Sequence, residues 1–230
     1  MTDTSGLLRA AIEDNIAWCS RVCSAHGSNE KLSSTAWVNF AASPPFYPNI
    51  ITRERGQQNE IAVLADKVRR ANQAVRWGIK DSFGDLMLLE QNFEKILSGN
   101  WYGGVVSEGD SKGWTTVSSP AELHIWEQAW GSSEATIFPS SLLDDDRIEF
   151  WAKGDDGAIQ SGFISFRTEF SVGLSNWFSV ESLSFAEIGL LRVAGSIAGG
   201  LPIVCWSKDD LTGDMIGLSQ LGPLHVWIAR

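Results

Sequence analysis

Cys19, Cys23 and His26 stand four and three residues apart, a spacing that puts three soft donors on one helix face and invites a zinc reading. No fourth ligand follows. His124 and His225 have no neighbour at ligand spacing, and His26 precedes Gly27, where a helix ends and an imidazole complements its dipole. The expectation is no metal. Residues 142–147 (LLDDDR) carry three carboxylates in a row, without the alternating oxygen donors and glycine of a calcium loop, and read as a solvated loop or helix cap. No Ser-His-Asp order suggests a triad, and GSIAGG at 195–200 lacks Gly-x-Ser-x-Gly. What remains is VGLSNWFSVESLSFAEIGLL (172–191), a strand passing into a helix. Backbone N–H groups at such junctions hold anionic cofactors, and here the turn reads Ser179-Val180-Glu181-Ser182-Leu183-Ser184.

The elements that must position this junction come from a repeat. YPNIIT (47–52) parallels LSNWFS (174–179) at a spacing of 127, and Glu60-Ile61 meets Glu187-Ile188 at the same spacing. At 128, VRWGIKDSF (75–83) lies over IVCWSKDDL (203–211), with Lys80-Asp81 on Lys208-Asp209. Met87-Leu88 and Met215-Ile216 follow as a predicted helix, then Phe93 and Leu221, Ile96 and Leu224. Each copy reads strand, helix, strand, helix, strand, which implies a parallel pair joined by a crossover helix. Ahead of the first copy, residues 7–25 are helical in pattern, and Pro44, Pro45 and Pro48 enforce an extended path. Ahead of the second, Ser118 or Ser119 caps a helix with Pro120 in its first turn and Leu123, Trp126, Ala129 and Trp130 on one face. A hairpin then turns at Asp155-Asp156-Gly157. The second unit is therefore the more complete one. We place the units at 1–108 and 109–230, across the Gly- and Ser-rich stretch 103–113.

The 230 residues include 28 acidic and 18 basic ones, a net charge of −10 that repels a phosphate backbone. Nucleic acid is excluded as a partner. No apolar run is long enough to cross a bilayer and no leader follows Met1, so the expected location is cytoplasmic, with no membrane partner. Three cysteines make no disulfide framework. Of the eleven tryptophans, Trp177 is singled out, because it sits beside Asn176 where the predicted central strand ends.

This order of elements resembles the GNAT N-acetyltransferase fold, an α/β fold on a mixed sheet. More narrowly, it resembles a bacterial group of tandem or pseudo-duplicated GNAT-like proteins. The residues carrying the resemblance are PPFYPNIIT, IKDSF, PAELHIWEQAW, VGLSNWF, GLPIVCW and GPLHVW, which together touch most of the chain from Trp37 onward. The resemblance implies acetyl-CoA or CoA as the cofactor. In catalytic members the loop after the fourth strand is Arg/Gln-x-x-Gly-x-Gly/Ala, and its N–H groups wrap the pyrophosphate. Residues 179–185 match that loop in position, yet contain no Gly or Arg and carry Glu181. The first unit offers Arg53-Glu54-Arg55-Gly56-Gln57-Gln58 in the equivalent place, so Arg53, Arg55 and Gly56 are candidate phosphate ligands, with a solvated turn as the alternative.

The resemblance further implies that Leu174, Ser175 and Asn176 position the acyl carbonyl at a cleft where two central strands part. Asn176, like its counterpart Asn49, either orients a substrate or satisfies the splayed backbone. Family enzymes often protonate the leaving thiolate with a Tyr early in the fourth helix. This chain has only Tyr47 and Tyr102, neither within 209–220, which leaves Cys205 and Asp209 as candidates; a core thiol and a helix cap are the competing readings. Two functions stay open: an acetyl-CoA-dependent N-acetyltransferase acting on a primary amine with a degraded cofactor loop, or a non-catalytic module on the same scaffold that binds a small molecule or a protein.

Overall fold

The computed structural model describes residues 4–72, 76–131, 136–155, 158–181, 189–211 and 217–230. The first half runs α1 (Thr4–Ala25), β1 (Glu30–Leu32), β2 (Ala36–Asn39), β3 (Ile50–Thr52), α2 (Gln58–Ala71), β4 (Gly78–Asp81) and β5 (Phe93–Gly104). After β6 (Trp114–Thr116) the same succession returns as α3 (Pro120–Trp130), β7 (Ile148–Asp155), β8 (Ala158–Arg167), β9 (Val172–Ser179), α4 (Leu190–Ala198), β10 (Ile203–Ser207) and β11 (Ser219–Ala229). The first hairpin, β1–β2, is much shorter than its counterpart β7–β8.

All strands join one sheet in the order β1-β2-β3-β4-β11-β5-β10-β9-β8-β7-β6. Among the described strands only β3/β4 and β9/β10 are parallel, and each of these pairs brackets its crossover helix, α2 or α4. The order is symmetric about the β11/β5 boundary, apart from the extra β6. At that centre the halves interlock. β11 lies between β4 and β5, while β5 lies between β11 and β10, so each half places its last strand in the other half's sheet.

Side-chain alternation assigns the faces. On β10, Val204 packs with α1 and α3, whereas Ile203 and Cys205 pack with α4. On β2, Trp37 joins the α1 face and Ala36 and Val38 join the α2 face. One face thus carries α1 and α3, and the other carries α2 and α4. Ser119 caps α3 as expected, accepting from the Glu122 N–H in a capping box with Pro120 next to it.

The predicted helix after β4 does not form. Asp81 is fully buried, and its carboxylate accepts from the backbone N–H groups of Phe83, Gly84 and Leu86 at 3.0–3.2 Å. A side chain that collects three nearby donors holds a loop in place of a helix, and only a 3-10 turn at Leu89–Gln91 remains. The corresponding stretch in the second half, 212–216, and the hairpin residues Asp156 and Gly157 lie outside the described residues.

Candidate active site

The parallel pair β9/β10 begins with Val172 opposite Ile203 and ends one step later with Gly173 opposite Val204. β10 continues to Ser207 on β5, and β9 continues to Ser179 on β8. Past Gly173, the edge of β9 that faces β10 therefore carries no ladder partner among the described residues. A bulge sits in this stretch. Ile164 pairs with Ser175 and Gly162 with Phe178, so Asn176 and Trp177 together oppose the single residue Phe163. Asn176 takes a φ of 51°, a left-handed conformation that asparagine tolerates better than most residues. The bulge interrupts the β8/β9 register just beyond the point where β9 leaves β10.

A cavity of about 10 Å³, room for one water-sized group, lies beside this parting of β9 and β10. Its walls include Asp14 and Asn15 of α1, Ser175 of β9, and Val204, Cys205 and Trp206 of β10. Ala11, Trp18, Trp101 and Phe166 also line it, and like Val204 they belong to the α1-side core, so the cavity lies between α1 and the strands beside the parting. Asp14 is buried, at 4% exposure, accepting from Ser171 Oγ at 2.8 Å and from the Gly173 N–H. Burial raises its carboxyl to about 8. Beside it, Asn15 Oδ1 accepts from Lys80 Nζ at 2.8 Å, and the ammonium rests 4.6 Å from the centre of the Trp206 ring. Desolvation lowers the Lys80 amine.

Sequence reading missed Asp14, Asn15 and Lys80. The signal was present: Ala11, Asp14, Asn15 and Trp18 follow helical one-face spacing, so two polar residues interrupt an otherwise apolar stripe.

The candidates named from sequence fare differently. Leu174 and Ser175 line the cavity, Asn176 follows at the bulge and is not part of that lining, and Trp177 lies half-buried against the α4-side core. Cys205 is a core thiol that burial pushes up to about 12. Asp209 is exposed just beyond β10, and its carbonyl accepts from the Tyr102 hydroxyl at 3.2 Å. Strand exchange explains that contact, because it sets Tyr102 opposite Cys205. Asn49 satisfies backbone, donating to the Asn39 and Ala41 carbonyls at 2.9 and 2.8 Å.

Arg53, Arg55 and Gly56 are engaged elsewhere. Arg53 donates to Glu13 at 2.6 and 2.8 Å and to the Ser33 carbonyl, fastening α1 to β3. The Arg55 guanidinium lies over Phe83, 4.8 Å from the ring centre. The Gly56 N–H donates to the Asp85 carboxylate at 3.0 Å, so the chain's own anion already sits at the start of α2. Gln58 and Met87 exchange two bonds, at 2.7 and 3.1 Å, which closes the loop over that helix end. In the second half, of the turn 179–185, residues 182–185 lie outside the described residues; Glu181 is exposed.

Cys19 and Cys23 are buried in the core, and burial raises their thiols to about 11 and 12. His26 Nε2 lies 2.9 Å from the Ile137 carbonyl oxygen, just before Gly27 with its φ of 80°. No group of three potential metal ligands occurs among the described residues. In 142–147, Asp145 pairs with Arg147 and Arg21, and the Arg147 guanidinium holds its carboxyl well below the usual range. No described helix is long and apolar enough to cross a membrane.

No protein-family model and no curated protein matches the chain. Solved structures do. A GCN5-related N-acetyltransferase from Kribbella flavida is similar over 94% of this chain and 95% of its own, at 12% identity and a TM-score of 0.61. One from Sphaerobacter thermophilus is similar over 86% and 81%, at 9% identity and 0.50. Saccharomyces cerevisiae N-myristoyltransferase with bound myristoyl-CoA is similar over 88% of this chain and 62% of its own, at 8% identity and 0.50. At such identities the likeness speaks for architecture, and with the parted β9/β10 pair it identifies the fold of this chain as that of the GCN5-related N-acetyltransferases, the GNAT fold.

Proposed function

We propose that this chain is an acyl-CoA-dependent N-acyltransferase, most simply an acetyltransferase, whose acceptor is a primary amine. The observation that carries the reading is the early parting of β9 from β10 after Gly173–Val204, with the bulge at Asn176 just beyond it. A strand edge without a partner offers N–H and C=O groups that a pantetheine chain, itself built of amides, can satisfy. The backbone of Leu174, Ser175 and Asn176 would hold that chain. When bound, the cofactor supplies an activated acyl thioester. The second-half gap is preferred over the first because the first is closed: the Ser82 N–H donates to Thr52 Oγ1 and the Ser82 hydroxyl to the Thr52 carbonyl.

We also read 1–108 and 109–230 as a duplicated unit, a reading supported by the repeated element order and the symmetric strand order. The division falls between interlocked halves, so it describes descent and not two separable bodies.

Isothermal titration of the full chain with acetyl-CoA and with CoA tests the cofactor reading. Micromolar binding of both is the expected result. No heat at millimolar ligand would remove the reading in favour of a non-catalytic module.

A further inference from the structure

We infer that Asp14 is the catalytic base of this site, taking the proton from an acceptor amine that meets the thioester beside the parting of β9 and β10. The inference rests on the acyltransfer reading above and adds to it a residue from the opposite half of the chain.

The position is specific. Asp14 reaches from α1 to the last paired residue of β9, bonding the Gly173 N–H, and it lines the cavity beside the separation. Gly173 is the last β9 residue paired to β10, and a Cβ there would lie 1.8 Å from Asp14 Oδ1. The strand thus presents a bare backbone to this carboxylate. The cavity admits one water-sized group, which is the size of an ammonium head. The cavity lies on the α1 side beside the parted strands, so an amine head placed in it would meet the carboxylate and the open edge of β9 together.

The chemistry of the residue argues for a proton role. Ser171 and Gly173 donate one hydrogen bond each to Asp14, and an asparagine would satisfy both without burying an acid. No cation pairs with Asp14 among the described residues, and an unpaired buried carboxylate is costly. What asparagine lacks is the ability to gain and release a proton. Burial holds the carboxyl near 8, where it is both protonatable and ionisable at neutral pH, as a base needs to be.

Lys80 from β4 is bound to Asn15, Glu13 is tied to Arg53, and Cys19 and Cys205 are held as thiols by burial.

The step balances. The ionised Asp14 accepts a proton from R–NH3+; the freed lone pair forms a C–N bond to the acyl carbon as the C–S bond breaks, and the second proton on nitrogen passes to the departing CoA thiolate, which leaves a neutral amide and CoA thiol. Asp14 then returns its proton to solvent.

The test uses the full chain with acetyl-CoA and benzylamine, chosen for its primary amine and flat ring beside Trp206, following thiol release from pH 6 to 10. Wild type should turn over with a rate that rises through about pH 8. Asp14→Asn should lose about 10²–10⁴-fold in kcat and that pH dependence, while it stays folded by circular dichroism and keeps its acetyl-CoA affinity, and Asp14→Glu should recover part of the rate. Equal turnover and an unchanged pH profile in Asp14→Asn would overturn the assignment while leaving acyltransfer intact. Absence of turnover in wild type, together with absence of acetyl-CoA binding, would overturn both; acetyl-CoA binding without turnover would overturn the base assignment alone.

Discussion

Ser82 is bonded twice to Thr52, its amide donating to Thr52 Oγ1 at 2.8 Å and its hydroxyl to the Thr52 carbonyl at 2.7 Å. Both residues are buried. This pair links the ends of β3 and β4, the strands equivalent in order to the parted β9 and β10. One opening in the sheet is therefore stitched shut by side chains, and the other has a cavity beside it.

Ser82→Ala leaves the buried Thr52 carbonyl without its donor. We expect a loss of about 1–3 kcal/mol, read as a lower denaturant midpoint at unchanged m-value. The heat of acetyl-CoA binding should not change, because the affected gap is not the ligand site.

Asp14 makes stability depend on pH. Its carboxyl titrates near 8 in the fold and near ~4 in the unfolded chain. Between these values the native state holds the extra proton, so the contribution is fully present below about pH 4 and is lost as pH rises through about 8. Urea unfolding at pH 5 and pH 8.5 should show wild type losing stability relative to Asp14→Asn, on the order of 3–5 kcal/mol across the window.

Gly173→Ala drives a methyl group against the Asp14 carboxylate, with 1.8 Å to Oδ1 and 2.7 Å to Cγ. Overpacking of this kind costs about 1–3 kcal/mol or more. Adding Asp14→Ala removes the obstacle, so the double variant should be more stable than the sum of the single losses predicts, with a coupling of about 1 kcal/mol or more.

Arg53 and Arg55 have partners within the protein. Replacing each by Ala should leave acetyl-CoA affinity within about twofold, since a contribution below ~0.4 kcal/mol is expected from groups that do not face the ligand. Arg53→Ala alone should lower stability by about 1 kcal/mol through loss of the half-buried pair with Glu13.

Local features were legible where the local chain decides them. The caps of α3, the apolar stripes of α2 and α3, and the strands around Asn49 and Asn176 all carry their signal within a few residues. The helix expected after Asp81 was misread because Met87 and Leu88 fit a helical period, whereas the loop is fixed by one buried carboxylate that the period does not register. Arg53 looked like a free cation at a helix start because its partner, Glu13, lies 40 residues earlier. The exchange of β5 and β11 was invisible for a more general reason: alternation tells a strand which face to bury but not which neighbour to take. That same exchange brings Tyr102 beside Cys205, and it could not be found by counting tyrosines along 209–220.

The interlocked centre also has a meaning for how the molecule comes into being. On the ribosome, β5 emerges roughly half a chain before β10 and β11, the two strands that flank it, and until then both of its edges are bare. Nascent copies on one message are then exposed to mutual capture, and a polypeptide cut after the first half would leave that strand seeking a substitute neighbour.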